Sequence, residues 1–211
     1  MTIQLGLFDV FTYTIPGSLY LALITYIGER FSWFNVGGLK DVPSLVLIGG
    51  LLIFSYIVGF VADPVAAQLD RWLRHWKAEY QSDVRETFME QVPGVDRRLY
   101  AKADTYLLLA LAETTQKEAA LEISRLRATG LMLRNCSVPF LFASVVSIVE
   151  VATGNRPLLA ALCAVLFAGA VLSCIRQGKR LRVWADMKTL QICYWIPGID
   201  EMIAHPGKGD S

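Results

Sequence analysis

VPSLVLIGGLLIFSYIVGFVA, residues 42–62, runs for 21 positions without a charged side chain. At a rise of about 1.5 Å per residue, a helix of that length is roughly 31 Å long, the thickness of a bilayer's hydrocarbon core. Three other stretches read the same way. Residues 10–28 and 157–175 are 19 uncharged positions each, and residues 135–149 are 15, ended by Glu150. The third run is short by itself and reaches across, to about residue 153, only if Glu150 lies near an interface. A buried helix of a soluble protein imitates one such run, but four among 211 residues leave too little polar surface to cover them. The expected fold class is therefore an all-α integral membrane protein. Its four transmembrane helices form two hairpins, with a central cytoplasmic helical hairpin between them.

The domain organisation follows from these runs. Residues 1–62 form the first transmembrane hairpin, with spans at about 10–28 and 42–62. Residues 63–134 form a cytoplasmic helical domain. Residues 135–175 form the second transmembrane hairpin, with spans at about 135–153 and 157–175. Residues 176–211 form a cytoplasmic amphipathic helix and a loose tail. Basic residues set the orientation. The block at 63–135 holds 11 Lys and Arg and the tail after residue 175 holds six, against Arg30 and Lys40 in one short loop and Arg156 in the other. The positive-inside rule places the block and the tail in the cytoplasm, and an even number of spans brings the N-terminus there too.

Composition narrows the function classes. The chain is 54% apolar and 18% charged, below the ~25% charged of a soluble domain. A net charge of +1 lacks the basic excess of a nucleic-acid binder, so no nucleic acid is expected as a partner. The first nine residues carry no Lys or Arg, unlike the basic start of a signal peptide, so the first apolar run is expected to stay in the protein. Cys136, Cys163, Cys174 and Cys193 show no paired spacing and read as small packing residues, with neither a metal site nor a cofactor expected.

Within the central block, Leu69, Leu73, Trp76, Tyr80, Val84 and Phe88 recur in steps of three and four and make one helical stripe. Asp70, Arg71, Arg74, Lys77 and Asp83 fall on the opposite, solvated face. Pro93-Gly94 ends that helix, and a second is expected over 104–134 with a stripe of Ala119, Ile123, Leu126, Gly130 and Leu133. Two such stripes need further cover, from the tail helix carrying Leu181, Trp184, Met187 and Leu190 or from another subunit. Membrane lipid and either a homo-oligomer or a protein partner, held through these cytoplasmic helices, are the expected partners.

Four residues stand out in the apolar runs as polar or structural sites. Pro16 removes a hydrogen bond inside the first span and is expected to kink or break it. Asp9 precedes that span and is expected to cap its start. Glu150 is the acid set in an apolar context; it either pairs at the boundary with Arg156 across the turn TGNR or lines an ion path. Small residues at Ala160, Ala164, Ala168 and Gly169, and at Gly49, Gly50 and Gly59, read as helix-packing positions. No catalytic residue is assigned, because GxGxxG, P-loop, HExxH and GxSxG motifs are all missing. RWLRH, residues 71–75, resembles the Arg-x(4–6)-His of HEPN-type ribonucleases with Arg71 and His75 one residue too close. Four apart on a helix, the two also read as a plain surface pair.

LFDVFTYTIPG at 7–17 and EISRLRATGLMLRN at 122–135 resemble small bacterial multi-span membrane proteins encoded near phage-defence genes. The plan of spans plus helical cytoplasmic part is similar to membrane accessory proteins of certain CRISPR loci. The resemblance covers about 25 residues and implies a bacterial inner-membrane setting, antiviral defence and assembly into pores, with no residue role attached. The expected function is that of a non-enzymatic membrane protein. It would act by oligomerisation or as an anchor and partner subunit, with a narrow pore or membrane perturbation as its stronger form. A membrane-anchored enzyme such as a HEPN-like ribonuclease, or a small transporter, is the alternative.

Overall fold

The computed structural model describes residues 2–33, 43–75, 80–92, 94–95, 98–154 and 156–204. Among them there is no strand. The α-helices are α1 (Thr2–Arg30), α2 (Ser44–His75), α3 (Tyr80–Gln91), α4 (Thr105–Thr115), α5 (Lys117–Thr153), α6 (Pro157–Trp195) and α7 (Ile199–Ala204), with a 3₁₀ turn at Leu99–Ala101. Four of them, α1, α2, α5 and α6, are long and apolar enough to cross a membrane. The chain divides into two compact units: Met1–Arg74 with Ala128–Lys179, and His75–Arg127 with Arg180–Ser211.

The first unit is held by close backbone approach. A Cβ added to Gly17 of α1 would overlap the carbonyl of Ser55, and one added to Gly59 of α2 would overlap that of Tyr13. Ser55 and Pro16 are fully buried at the same crossing, and Tyr13 stacks edge-on against Tyr56 and Phe60 beside it. Between α5 and α6 the tight place is Gly178, whose added Cβ would lie 3.2 Å from the Gly130 carbonyl oxygen. Ser144 donates to the Ala164 carbonyl at 3.3 Å, and Phe140 stacks on Phe167 with centroids 6.2 Å apart. Of the small residues singled out in sequence, Gly59 is used for packing, whereas Gly49, Gly50 and Gly169 have nothing within 4 Å of an added Cβ.

Prolines do not end these helices. Pro16, Pro64 and Pro139 lie inside α1, α2 and α5, and each leaves one carbonyl of the preceding turn without its helical N–H. The first span is thus continuous through Pro16. It also begins at Thr2, so Asp9 lies within the helix rather than at its start, and the Asp9 side chain is outside the described residues.

The second unit has its own core. Val84 and Phe88 of α3, Tyr100 of the 3₁₀ turn, Leu108 and Ala112 of α4, and Ala120 of α5 pack with Leu190 and Cys193 of α6 and with Ile196 and Ile199. Burying each large apolar side chain contributes roughly 1.5–3 kcal/mol. Of the two covers the stripes required, the one present is the C-terminal part of α6, with Met187 and Val183 also packed against the core. Trp184 faces outward instead, beneath the Arg180 guanidinium at 4.6 Å. The segment read as a loose tail includes α7, where Asp200 accepts the Tyr100 backbone N–H at 3.1 Å and Ile199 is buried; residues 205–211 lie outside the described residues.

Two sequence expectations change here. The single helix over 104–134 is broken at Gln116 (φ −134, ψ 72), where Thr114 and Thr115 hydroxyls both donate to the Leu111 carbonyl and compete with helix continuation. Beyond the break, α5 runs on through residue 135 without interruption, as α6 does through residue 175. Asp70, placed by its spacing on the solvated face, is buried at 6% exposure, because α2 is covered on that side too. Gly94 has φ +87, the left-handed turn that the Pro93-Gly94 pair announced.

Two outcomes test this packing. Gly17→Ala and Gly59→Ala should each cost on the order of 1–3 kcal/mol or more in detergent unfolding, since a carbonyl cannot rotate away as a side chain can. Gly49→Ala and Gly169→Ala should be neutral or slightly stabilising; equal losses at all four would contradict the crossing. The second outcome concerns Tyr100, whose fully buried hydroxyl has no hydrogen-bond partner among the described residues. Burial pushes its pKa up to about 12. The folded state thus keeps the proton above the ordinary ~10, so the linked stability is complete below pH 10 and falls as pH rises toward 12. Tyr100→Phe should flatten that alkaline loss in a melting series; parallel curves would refute it.

Candidate functional site

Charged side chains bound the apolar part of the first unit at both ends. At one end, Arg134 Nη2 lies 2.6 Å from Asp63 Oδ1, and Asn135 Nδ2 donates to the same oxygen at 2.8 Å. Asn135 is 2% exposed, and the Arg134 side chain 14%. Local sequence explains the meeting. Asp63 directly follows the apolar run at 42–62, and Arg134 directly precedes the run at 135–149. At the other end, Arg30 Nε donates to Glu150 Oε1 at 2.7 Å, joining the last residue of α1 to α5. Sixteen residue steps separate Arg134 from Glu150 along α5, roughly 24 Å at ~1.5 Å per residue.

A cavity of about 590 Å³ lies between α1, α5 and α6 at the Glu150 end. Each helix contributes one stripe to its wall. On α1 the stripe runs from Arg30 through Tyr26 and Leu23 to Leu19, on α5 from Glu150 through Ala143 to Pro139, and from Arg156, just before α6, through Leu159 and Cys163 to Phe167 on that helix. All three stripes begin at a charge and end in apolar side chains, with the Phe140–Phe167 stack at the apolar end. Tyr26 lines the same charged end of the cavity as Glu150. Two guanidinium groups and one carboxylate leave the charged end with one excess positive charge.

The expected site residues are placed as follows. Glu150 and Arg156 are brought to one cavity, but the described ion pair of Glu150 is with Arg30. Pro16 is buried at the α1–α2 crossing, away from the cavity lining. Arg71 of the RWLRH motif is exposed on α2, and the side chain of His75 lies outside the described residues. Arg30, Asp63, Arg134 and Asn135 were not singled out from sequence. Their signal was position: each charge stands at the edge of an apolar run, where edges on one side of a slab can pair. Several hydroxyls in the runs bond to their own helix, whereas Thr14 Oγ1 is buried with no hydrogen-bond partner among the described residues. Thr12 donates to the Phe8 carbonyl at 2.8 Å, Ser147 to that of Ala143 at 2.8 Å and Ser18 to that of Ile15 at 2.8 Å.

Beside the Glu150 carboxylate, the cavity wall carries the hydroxyls of Tyr26 and Ser147 and the thiol of Cys163. Among the described residues no group of three or more His, Cys, Asp or Glu could hold a metal ion. Comparison with protein-family models, with curated proteins and with solved structures finds no match. The resemblance at 7–17 and 122–135 therefore brings no residue role with it.

A double-mutant cycle on Asp63→Ala and Arg134→Ala should give a coupling of about 1–3 kcal/mol in detergent unfolding, because the pair is shielded and its members contact directly. The same cycle on Arg30→Ala and Glu150→Ala should give less, since the Arg30 side chain is 50% exposed. Additive losses at Asp63 and Arg134 would refute the pairing.

Proposed function

We propose that the chain is a four-span membrane protein that acts without catalysis, anchoring its second helical unit at the membrane for a protein partner. The observation that carries this is the apolar belt of the first unit. Leu45 (83%), Val61 (68%), Leu158 (77%) and Val165 (73%) are largely exposed, within the uncharged runs at 42–62 and 157–175. Monomeric soluble proteins rarely expose contiguous apolar patches larger than a few hundred Å², and a bilayer covers such a belt.

The ion pairs favour four alternating spans. Asp63 ends the second apolar run and Arg134 begins the third, so an alternating path brings both to one face of the bilayer. Arg30 ends the first run and Glu150 lies late in the third, which an alternating path brings to the opposite face. The positive-inside rule makes the Asp63–Arg134 face cytoplasmic, with both termini on that side.

The second unit supports the partner role. It closes a core of its own, in which Val84 and Phe88 of the first stripe are buried. It nevertheless keeps Leu107, Trp195 and Met202 at its surface, with Trp195 75% exposed. Hydroxyls bonded to helix carbonyls in the runs weigh against a water path through one copy.

The test is affinity purification of the full chain from membranes in mild detergent, with the particle mass corrected for bound detergent. One or two copies with a stoichiometric unrelated protein is the expected result. A closed ring of identical subunits with no partner would overturn the anchor reading in favour of a pore.

A further inference from the structure

The cavity between α1, α5 and α6 has the dimensions and polarity of half a bilayer. Leu19 to Arg30, Pro139 to Glu150 and Arg156 to Phe167 each cover eleven residue steps, roughly 17 Å at ~1.5 Å per residue. One leaflet contributes about half of the ~30 Å hydrocarbon thickness, or ~15 Å. The charges stand at the end where headgroups would lie and the stacked phenylalanines at the end near the midplane. Tyr26 and Leu159 line the cavity yet stay 48% and 59% exposed, so it opens on the side facing the surroundings. An apolar cleft open to lipid would not hold water, which needs polar partners.

We infer that this cavity binds one anionic phospholipid, with an acyl chain in the apolar cleft and its phosphate between Arg30 and Arg156. The inference rests on the membrane reading above, and in that orientation the lipid belongs to the extracytoplasmic leaflet. The charge count selects the headgroup. Glu150 neutralises one guanidinium and leaves the other's charge for an anion, while a net-neutral headgroup gains less. Glu150 itself holds Arg30 in place through its Nε at 2.7 Å. A volume of about 590 Å³ is within the ~300–1,000 Å³ range of small-molecule sites, enough for one chain and not for a whole two-chain lipid. The second chain stays in the bilayer.

The experiment titrates phosphatidylglycerol and, separately, phosphatidylcholine into the delipidated full chain in mild detergent and reads bound lipid by native mass spectrometry. The first phosphatidylglycerol should bind at least about fivefold more tightly than phosphatidylcholine, ~1 kcal/mol. Arg156→Gln, an exposed position that leaves the Arg30–Glu150 pair intact, should bring the two lipids to within about twofold of each other, ~0.4 kcal/mol. Ala143→Phe, which fills the cleft, should weaken both. Equal binding by the wild-type chain, or an undiminished preference in Arg156→Gln, overturns the site. Alkaline carbonate washing of membranes separates this failure from that of the membrane reading. A chain retained in the pellet without lipid preference refutes the lipid site alone, whereas a chain released into the wash refutes membrane insertion itself.

Discussion

A charged side chain tolerates the edge of an apolar slab and not its middle, and the first unit is arranged around that constraint. Placing a charge at mid-bilayer costs ~2.5–3.5 kcal/mol even on mild scales, so charges collect at the borders and pair there. Asp63 with Arg134 and Asn135 closes one border, and Arg30 with Glu150 closes the other. Because α5 supplies a member to each pair, the interval from Arg134 to Glu150 sets the slab's depth for the helices around it. The α1–α2 crossing at Gly17 and Gly59 then fixes how near those helices come.

On the proposed membrane reading, the hydrophobic effect cannot drive these helices together, since lipid tails are as apolar as Leu. Packing and hydrogen bonding must do so. Gly17, Gly59 and Gly178 let backbones touch, and Ser144 bonds across to Ala164. Two of the three helix-interior prolines, Pro16 and Pro139, are fully buried against neighbours. The cavity is where close approach stops, and a lipid chain is the filler that its depth and charged end suit.

Much of this was legible in the chain. Uncharged length identified the four long helices, and the i, i+3, i+4 spacing of Val84 and Phe88 identified a core face that the structure buries. Asp70 was misassigned because one helix's periodicity cannot reveal a second cover on its polar side. The break at Gln116 was missed because two threonine hydroxyls, not a glycine or proline, compete for a carbonyl. The site was half legible. Glu150 drew notice as an acid among apolar residues, but its partner Arg30 is 120 positions away and is chosen by helix packing. Arg156, only six residues away, had been the nearer guess.

Depth in the bilayer tests the central claim most directly. Spin labels at single cysteines replacing Leu158, Leu162, Val165 and Leu172 on the exposed face of α6, in a chain whose native cysteines are alanine, report it in reconstituted membranes. The account predicts oxygen accessibility that peaks near Val165 and falls toward Leu158 and Leu172, with water-soluble nickel complexes excluded at the peak. Uniform access of the nickel complex to all four positions would contradict an apolar slab embedded in the bilayer.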